Sequence, residues 1–194
     1  MHRKQFIKNT ALTAASVALM PNTTLFAREV KDRIKLVMIG TGLRGQNHLD
    51  LVLRRKDVEL VAICDIDDRM LSLSKEIITK SGKKMPQIFT GEPYAWKKML
   101  ELKDIDGVII ATPWEWHKEM IIGSLQAGIK YVGTEVMLGV TLQDHWDVVK
   151  AAEQYNAQVM MLENVCYRRD VMAALNMVRK GLFGEMVHLQ GGYQ

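Results

Sequence analysis

The sequence predicts an α/β chain: a doubly wound parallel sheet covered by helices on both faces, followed by the start of a second, truncated α/β domain. Three observations predict it. From Arg33 onward, short β-branched apolar runs alternate five or six times with segments of helical spacing. The runs are too apolar to leave either face in water, as expected of strands buried on both sides. A glycine-rich turn joins the first run to the first helix.

The elements follow in order. RIKLVMIG (Arg33 to Gly40) reads as a strand, Leu43 to Lys56 as a helix, Val58 to Asp65 as a strand, and Asp67 to Lys80 as a helix. GVIIATP (Gly107 to Pro113) leads into a helix that runs through Gln126, and Ile129 to Glu135 is the next strand. Thr141 to Asn156 is helical; Thr141 and Asp144 have capping-box spacing, with Asp in place of the usual Glu. Gln158 to Asn164 is the last strand of the sheet. Arg168 to Gly184 then forms an amphipathic helix ending at Gly181, and a new strand begins at Glu185. A chain that stops inside that strand leaves a sheet edge unfinished, so it reads as the front part of a longer protein, inactive alone.

The 194 residues, 48% hydrophobic and 25% charged, suit one full domain plus a piece of another. The expected division is a signal peptide over residues 1–27, a cofactor-binding domain over 28–166, and a linking helix and strand over 167–194. The first segment carries Arg3, Lys4 and Lys8, then the apolar run Ala11 to Met20, Pro21 and a small-residue exit near Ala27. That apolar run is too short for a mature membrane span. RKQFIK (Arg3 to Lys8) resembles a degenerate twin-arginine signal, so the chain is expected to be exported, periplasmic or secreted, with no stable membrane span. The net charge is +4, and three of its cations sit in the removable segment. The remainder is close to neutral, which gives no electrostatic case for nucleic acid. Cys64 and Cys166 fall at the ends of apolar runs, where buried thiols are common, and make no disulfide framework. No metal is assigned, and a homo-oligomer stays open.

Strand exits are where such a sheet binds ligands. GTGLRG (Gly40 to Gly45) matches G-x-G-x-x-G between a strand and a helix, and Asp65 stands twenty residues beyond it at the end of the next strand. Gly40 permits the tight turn, Gly42 admits a pyrophosphate, and Gly45 lets helix and strand pack closely. The amides of Leu43 and Arg44 would face the phosphates. Asp65 can accept both ribose hydroxyls and would repel a 2′-phosphate, so NAD is expected rather than NADP. In ATPWEWH (Ala111 to His117), Trp114 and Trp116 offer an apolar wall for a ring, although packing explains one of them equally well. His117 fits a cofactor contact, a substrate contact or a helix-start polar residue. YVGTEVMLG (Tyr131 to Gly139) delivers a lone carboxylate, Glu135, with no Lys, Arg or His beside it. Its burial requires a partner from elsewhere.

GTGLRGQNHL, AICD, IIATPWEWH, GTEV and MMLENVCYRRDVMAALNMVRKGLFGEMVHLQGGYQ resemble the glucose-fructose oxidoreductase/inositol dehydrogenase superfamily. More narrowly, they resemble the NAD-dependent α-N-acetylgalactosaminidases of glycoside hydrolase family 109. The resemblance spans Arg33 to Gln194 and implies a Rossmann-like domain. NAD contacts are implied at Leu43, Arg44, Asp65, Trp114, Glu115, Trp116, His117, Glu135, Val136 and Asn164, and a substrate contact at Tyr193. In the superfamily's dehydrogenases the strand carrying Glu135 ends in Glu-Lys-Pro, the lysine being the acid/base. Here Val136 and Met137 follow Glu135, so that lysine is absent. The implied reaction is a redox-neutral hydrolysis: transient oxidation at sugar C3, loss of the C2 proton, elimination at C1, water addition and re-reduction. The acid/base residues are expected beyond Gln194. The alternatives are a sugar dehydrogenase of the same superfamily, or a non-catalytic NAD- or sugar-binding protein.

Overall fold

The structure, a computed structural model, describes residues 33–190 and Gly192. The expected signal segment (1–27) and Tyr193 lie outside the described residues. Strands β1 (Ile34–Ile39), β2 (Val58–Cys64), β3 (Gln87–Phe89), β4 (Gly107–Ile110), β5 (Tyr131–Thr134) and β6 (Gln158–Met161) form one sheet in the order β3-β2-β1-β4-β5-β6. Each neighbouring pair is parallel. Helices α1 (Leu43–Arg54), α2 (Asp68–Lys80), α3 (Ala95–Leu100), α4 (Trp114–Gln126) and α5 (Leu142–Gln154) connect the strands, and α6 (Arg169–Arg179) follows a 3-10 turn at Val165–Tyr167. The sheet order reverses between β1 and β4, so a crevice opens there at the carboxyl ends of the strands.

Side-chain alternation along each strand builds two cores. Val37, Ile39, Ala62, Val108, Ile110 and Val132 face α3, α4 and α5, packing with Trp96, Met99, Ile121, Leu125 and Val148. Met38 and Ile63 face the other way and meet Leu49, Leu53, Leu71 and Ile78 of α1 and α2. Fully burying each of the Val, Leu, Ile and Met side chains among them contributes about 1.5–3 kcal/mol. At the start of α5, the Thr141 hydroxyl accepts from the Asp144 amide while the Asp144 carboxylate accepts from the Thr141 amide, which forms the expected capping box. Lys118 of α4 reaches Asp144 at 2.5 Å and so ties α4 to α5.

Three expectations need correction. Residues 87–100 hold a further short strand and helix, β3 and α3, too brief for periodicity to reveal. No strand forms from Glu185 to Gln190, because an extended segment needs a ladder partner and none is present among the described residues. Cys166 is exposed while Cys64 is buried: β6 ends at Met161, and the turn carrying Cys166 lies outside both cores. Helix α6 ends before Gly181, which takes φ +68°, and its Val171, Leu175 and Val178 stripe stays 38–39% exposed.

Candidate functional site

The site is built on the β1–α1 turn. Gly40 has φ +88°, and a Cβ there would lie 2.5 Å from the Ala111 carbonyl oxygen; at Gly45 a Cβ would run into the Gly40 carbonyl. Both glycines are therefore demanded by the fold itself. Gly42 differs: its φ is −62° and a Cβ would meet nothing within 4 Å. The space over Gly42 opens into the crevice, and no side chain caps the N-terminus of α1. Uncapped amides under an open glycine make a place for an anion.

Asp65 closes one wall. Its Oδ2 accepts from the Thr41 amide at 2.6 Å and the Thr41 hydroxyl at 3.0 Å, and its Oδ1 accepts from the Asp67 amide at 3.0 Å. The carboxylate thus braces the glycine turn from β2 and retains lone pairs for a hydroxyl. A cavity of about 280 Å³ runs from Gly40 and Gly42 past Asp65 and Met70 to Trp96 and Trp116. It is mainly apolar, with Asp65 as a charged group in its wall. Trp116 lines it and meets Tyr94 edge-on, with ring centroids 5.5 Å apart. Trp114 is 54% exposed and outside that cavity, so the two indoles part roles. Cys64 also lines the cavity, and burial, with Asp65 adding, pushes its thiol up to about 12. That keeps it a neutral thiol in the cavity wall.

His117 is fully buried. Its Nε2 faces the Thr112 carbonyl at 2.8 Å and its Nδ1 the Met137 carbonyl, so the ring links the β4 exit to the β5 exit. Of the three roles open to it, the geometry shows a tie between strand exits; any effect on a cofactor would pass through those loops. Glu115 is exposed in the first turn of α4.

Glu135 has the partners that its own stretch lacks. Its Oε1 accepts from Arg44 Nε at 2.9 Å and from His48 Nε2 at 2.5 Å, both on α1. The Glu135 side chain is 11% exposed, His48 14% and Arg44 42%. Val136 is half-buried and cannot carry a proton, and the Val136–Met137 peptide is cis. Leu43 is 82% exposed at the head of α1, and Asn164 is exposed at the start of the 3-10 turn after β6. Thr41, His48 and Trp96 belong to the site and were not singled out from sequence. For His48 a signal existed: Arg44 and His48 are four apart on one helix, so both present a basic group on one face.

A wider hollow of about 750 Å³ lies between α3 and α4, by Leu100, Lys103, Asp104 and Gly128. It gathers none of the strand exits. No helix among the described residues is long and apolar enough to cross a membrane, and no His/Cys/Asp/Glu group there could hold a metal ion.

Two family models match: the oxidoreductase family with an NAD-binding Rossmann fold over residues 34–163, and the glycosyl hydrolase 109 C-terminal domain over residues 167–194. A glycosyl hydrolase family 109 protein of Stenotrophomonas maltophilia is 54% identical over the whole chain, which covers 42% of that protein. Alpha-N-acetylgalactosaminidases of Tannerella forsythia and Shewanella oneidensis are 46% and 34% identical over 83% and 100% of the chain. The chain covers 34% and 46% of those two, so it spans less than half the length of these relatives. Among solved structures, a myo-inositol 2-dehydrogenase of Lactobacillus plantarum superposes with TM-score 0.67 at 25% identity, over 80% of this chain and 43% of that one. A scyllo-inositol dehydrogenase of Lactobacillus casei with bound NAD(H) and scyllo-inositol also has TM-score 0.67, at 21% identity over 79% and 43%, which speaks to the fold alone.

Proposed function

Since the chain belongs to the NAD-binding oxidoreductase family, in its glycoside hydrolase family 109 branch, we propose that it is the cofactor-holding part of an exported α-N-acetylgalactosaminidase that cleaves terminal α-linked N-acetylgalactosamine without net redox change. Its cofactor is NAD, and the residues present suit it. The open Gly42 and the uncapped amides of α1 would take the pyrophosphate, Asp65 the adenine-side ribose hydroxyls, and Trp116 the wall of the adenine cavity. Bound there, NAD supplies a reversible hydride acceptor for the sugar C3 position.

The remaining work of this chain is to bind and orient. Glu135 would accept a hydroxyl on the nicotinamide side, while the apolar Val136 presents no proton-transfer group at the β5 exit. That Glu135–Val136 exit carries the reading: a dehydrogenase of the resembled kind needs a lysine where Val136 stands. Proton transfer at the sugar C2 position then falls to residues outside this chain. The names of the Tannerella and Shewanella relatives support the choice of sugar.

The test uses the full-length protein with an aryl α-N-acetylgalactosaminide in deuterated water. The expected result is aryl release with deuterium incorporated at C2 and no NADH accumulating. Aryl release with the C2 hydrogen retained would reject the elimination route, and one NADH formed per sugar consumed would move the assignment to a sugar dehydrogenase. Export is checked separately: replacing Arg3 and Lys4 with neutral residues should trap the precursor inside the cell, and normal export of that variant would reject the twin-arginine route.

A further inference from the structure

We propose that His48 is a positioning residue of the cofactor site, holding Glu135 in place so that Arg44 can turn from Glu135 to the cofactor's phosphates. The proposal rests on the NAD-site reading above. Arg44 and His48 converge on one oxygen of Glu135, Oε1. A carboxylate only accepts, so Nε2 of His48 carries the proton in that contact.

The two donors are not equivalent in place. Arg44 stands in the first turn of α1, at the uncapped end where an anion would bind, and it is 42% exposed. It contacts Glu135 through Nε, and its Nη groups make no hydrogen bond among the described residues. His48 lies one turn further along the helix and is 14% exposed. An arriving pyrophosphate therefore competes with Glu135 for Arg44 and leaves His48 untouched. Glu135 is 11% exposed, and a carboxylate so placed strongly resists losing its last charged or hydrogen-bonding partner. With His48 on the same oxygen, Arg44 can change partners without stranding that carboxylate. Without His48, Arg44 is pinned, and phosphate binding must work against the buried ion pair.

The experiment is isothermal titration of the full-length protein with NAD, ADP-ribose and adenosine, across His48→Ala, His48→Gln, Glu135→Gln and the His48→Ala/Glu135→Gln double variant. His48→Ala should weaken NAD and ADP-ribose about tenfold and leave adenosine, which has no phosphate, within about twofold. His48→Gln, which offers an N–H at similar reach, should recover most of the loss. In the Glu135→Gln background no charge needs holding, so adding His48→Ala should cost less than about twofold. Adenosine weakened as much as NAD, or an undiminished loss in the Glu135→Gln background, overturns the proposal by showing a merely structural role. If His48→Ala does not fold, His48→Gln with affinity tenfold below wild type overturns it as well. Wild-type protein that binds adenosine but not NAD or ADP-ribose overturns the NAD-site reading itself, whereas tight wild-type binding unchanged in His48→Ala overturns only the role of His48.

Discussion

The Arg44 guanidinium and the Glu135 carboxylate meet at 2.9 Å although 91 positions separate them in the chain. The contact joins the helix after the glycine turn to the exit of β5 and so spans the mouth of the crevice. His48 reinforces it on the same oxygen.

This shared oxygen makes the stability cost strongly non-additive. Arg44→Leu alone removes a partner that is 42% exposed and leaves His48 on the same oxygen, so it should cost about 1 kcal/mol or less. Arg44→Leu with His48→Leu leaves a nearly buried carboxylate unpaired and should cost about 3–5 kcal/mol. Urea unfolding of Arg44→Leu, His48→Leu and the double variant measures both figures and their additivity. Additive single effects would show that the two donors act independently.

The glycines should separate by substitution to alanine. Gly42→Ala has a compatible φ and an empty surrounding, so the melting temperature should hold within a few degrees while NAD affinity falls at least tenfold. Gly40→Ala forces a left-handed backbone and a collision with Ala111, and should unfold far earlier. A cofactor-neutral Gly42→Ala would remove the pyrophosphate from that spot.

Asp65 braces the glycine turn and, in the proposed function, also holds the cofactor's ribose. Asp65→Ala should weaken NAD by about 1.5–3 kcal/mol, narrow the preference over NADP, and lower the melting temperature because the Thr41 amide loses its acceptor. Thr41→Val keeps that amide contact and removes only the 3.0 Å hydroxyl bond. It should leave NAD affinity within about threefold. Calorimetry with NAD and NADP on both variants separates the two duties.

Acid should weaken the α4–α5 tie. Lys118, with the Thr141 amide next, holds the Asp144 carboxyl well below the usual carboxylate range. A lowered folded-state value means the stabilisation is fully present above the unfolded value of about 3.9 and disappears as pH falls from there through the folded value. The melting-temperature gap between wild type and Asp144→Asn should therefore be constant near neutrality and close below about pH 4. The Lys118 ammonium is raised by the same contact, so the gap should also narrow above about pH 10.4. A gap independent of pH would place the role of Asp144 in packing alone.

Much of the fold was legible because periodicity is a local property. Five strands and five helices fall where apolar runs and helical spacing put them, within a few residues, and the Thr141–Asp144 box marks the start of α5. The three-residue β3 and six-residue α3 carry too few turns of either period to register. Of the site, the G-x-G-x-x-G turn and Asp65 could be read from spacing, because one turn and the adjacent strand fix their relation.

The sequence by itself determined that a parallel, two-faced sheet forms, that its first turn is shaped for a phosphate, and that Glu135 needs a partner. The tertiary structure alone decided which partner. Burial sets the demand for a counter-charge, but which cation answers depends on the order β1-β4-β5, which carries the head of α1 to the β5 exit. The same assembly sends Trp116 into the cavity and Trp114 to the surface, and turns both nitrogens of His117 onto the carbonyls of Thr112 and Met137. Those choices are made by contacts between segments distant in the chain, which no local pattern encodes.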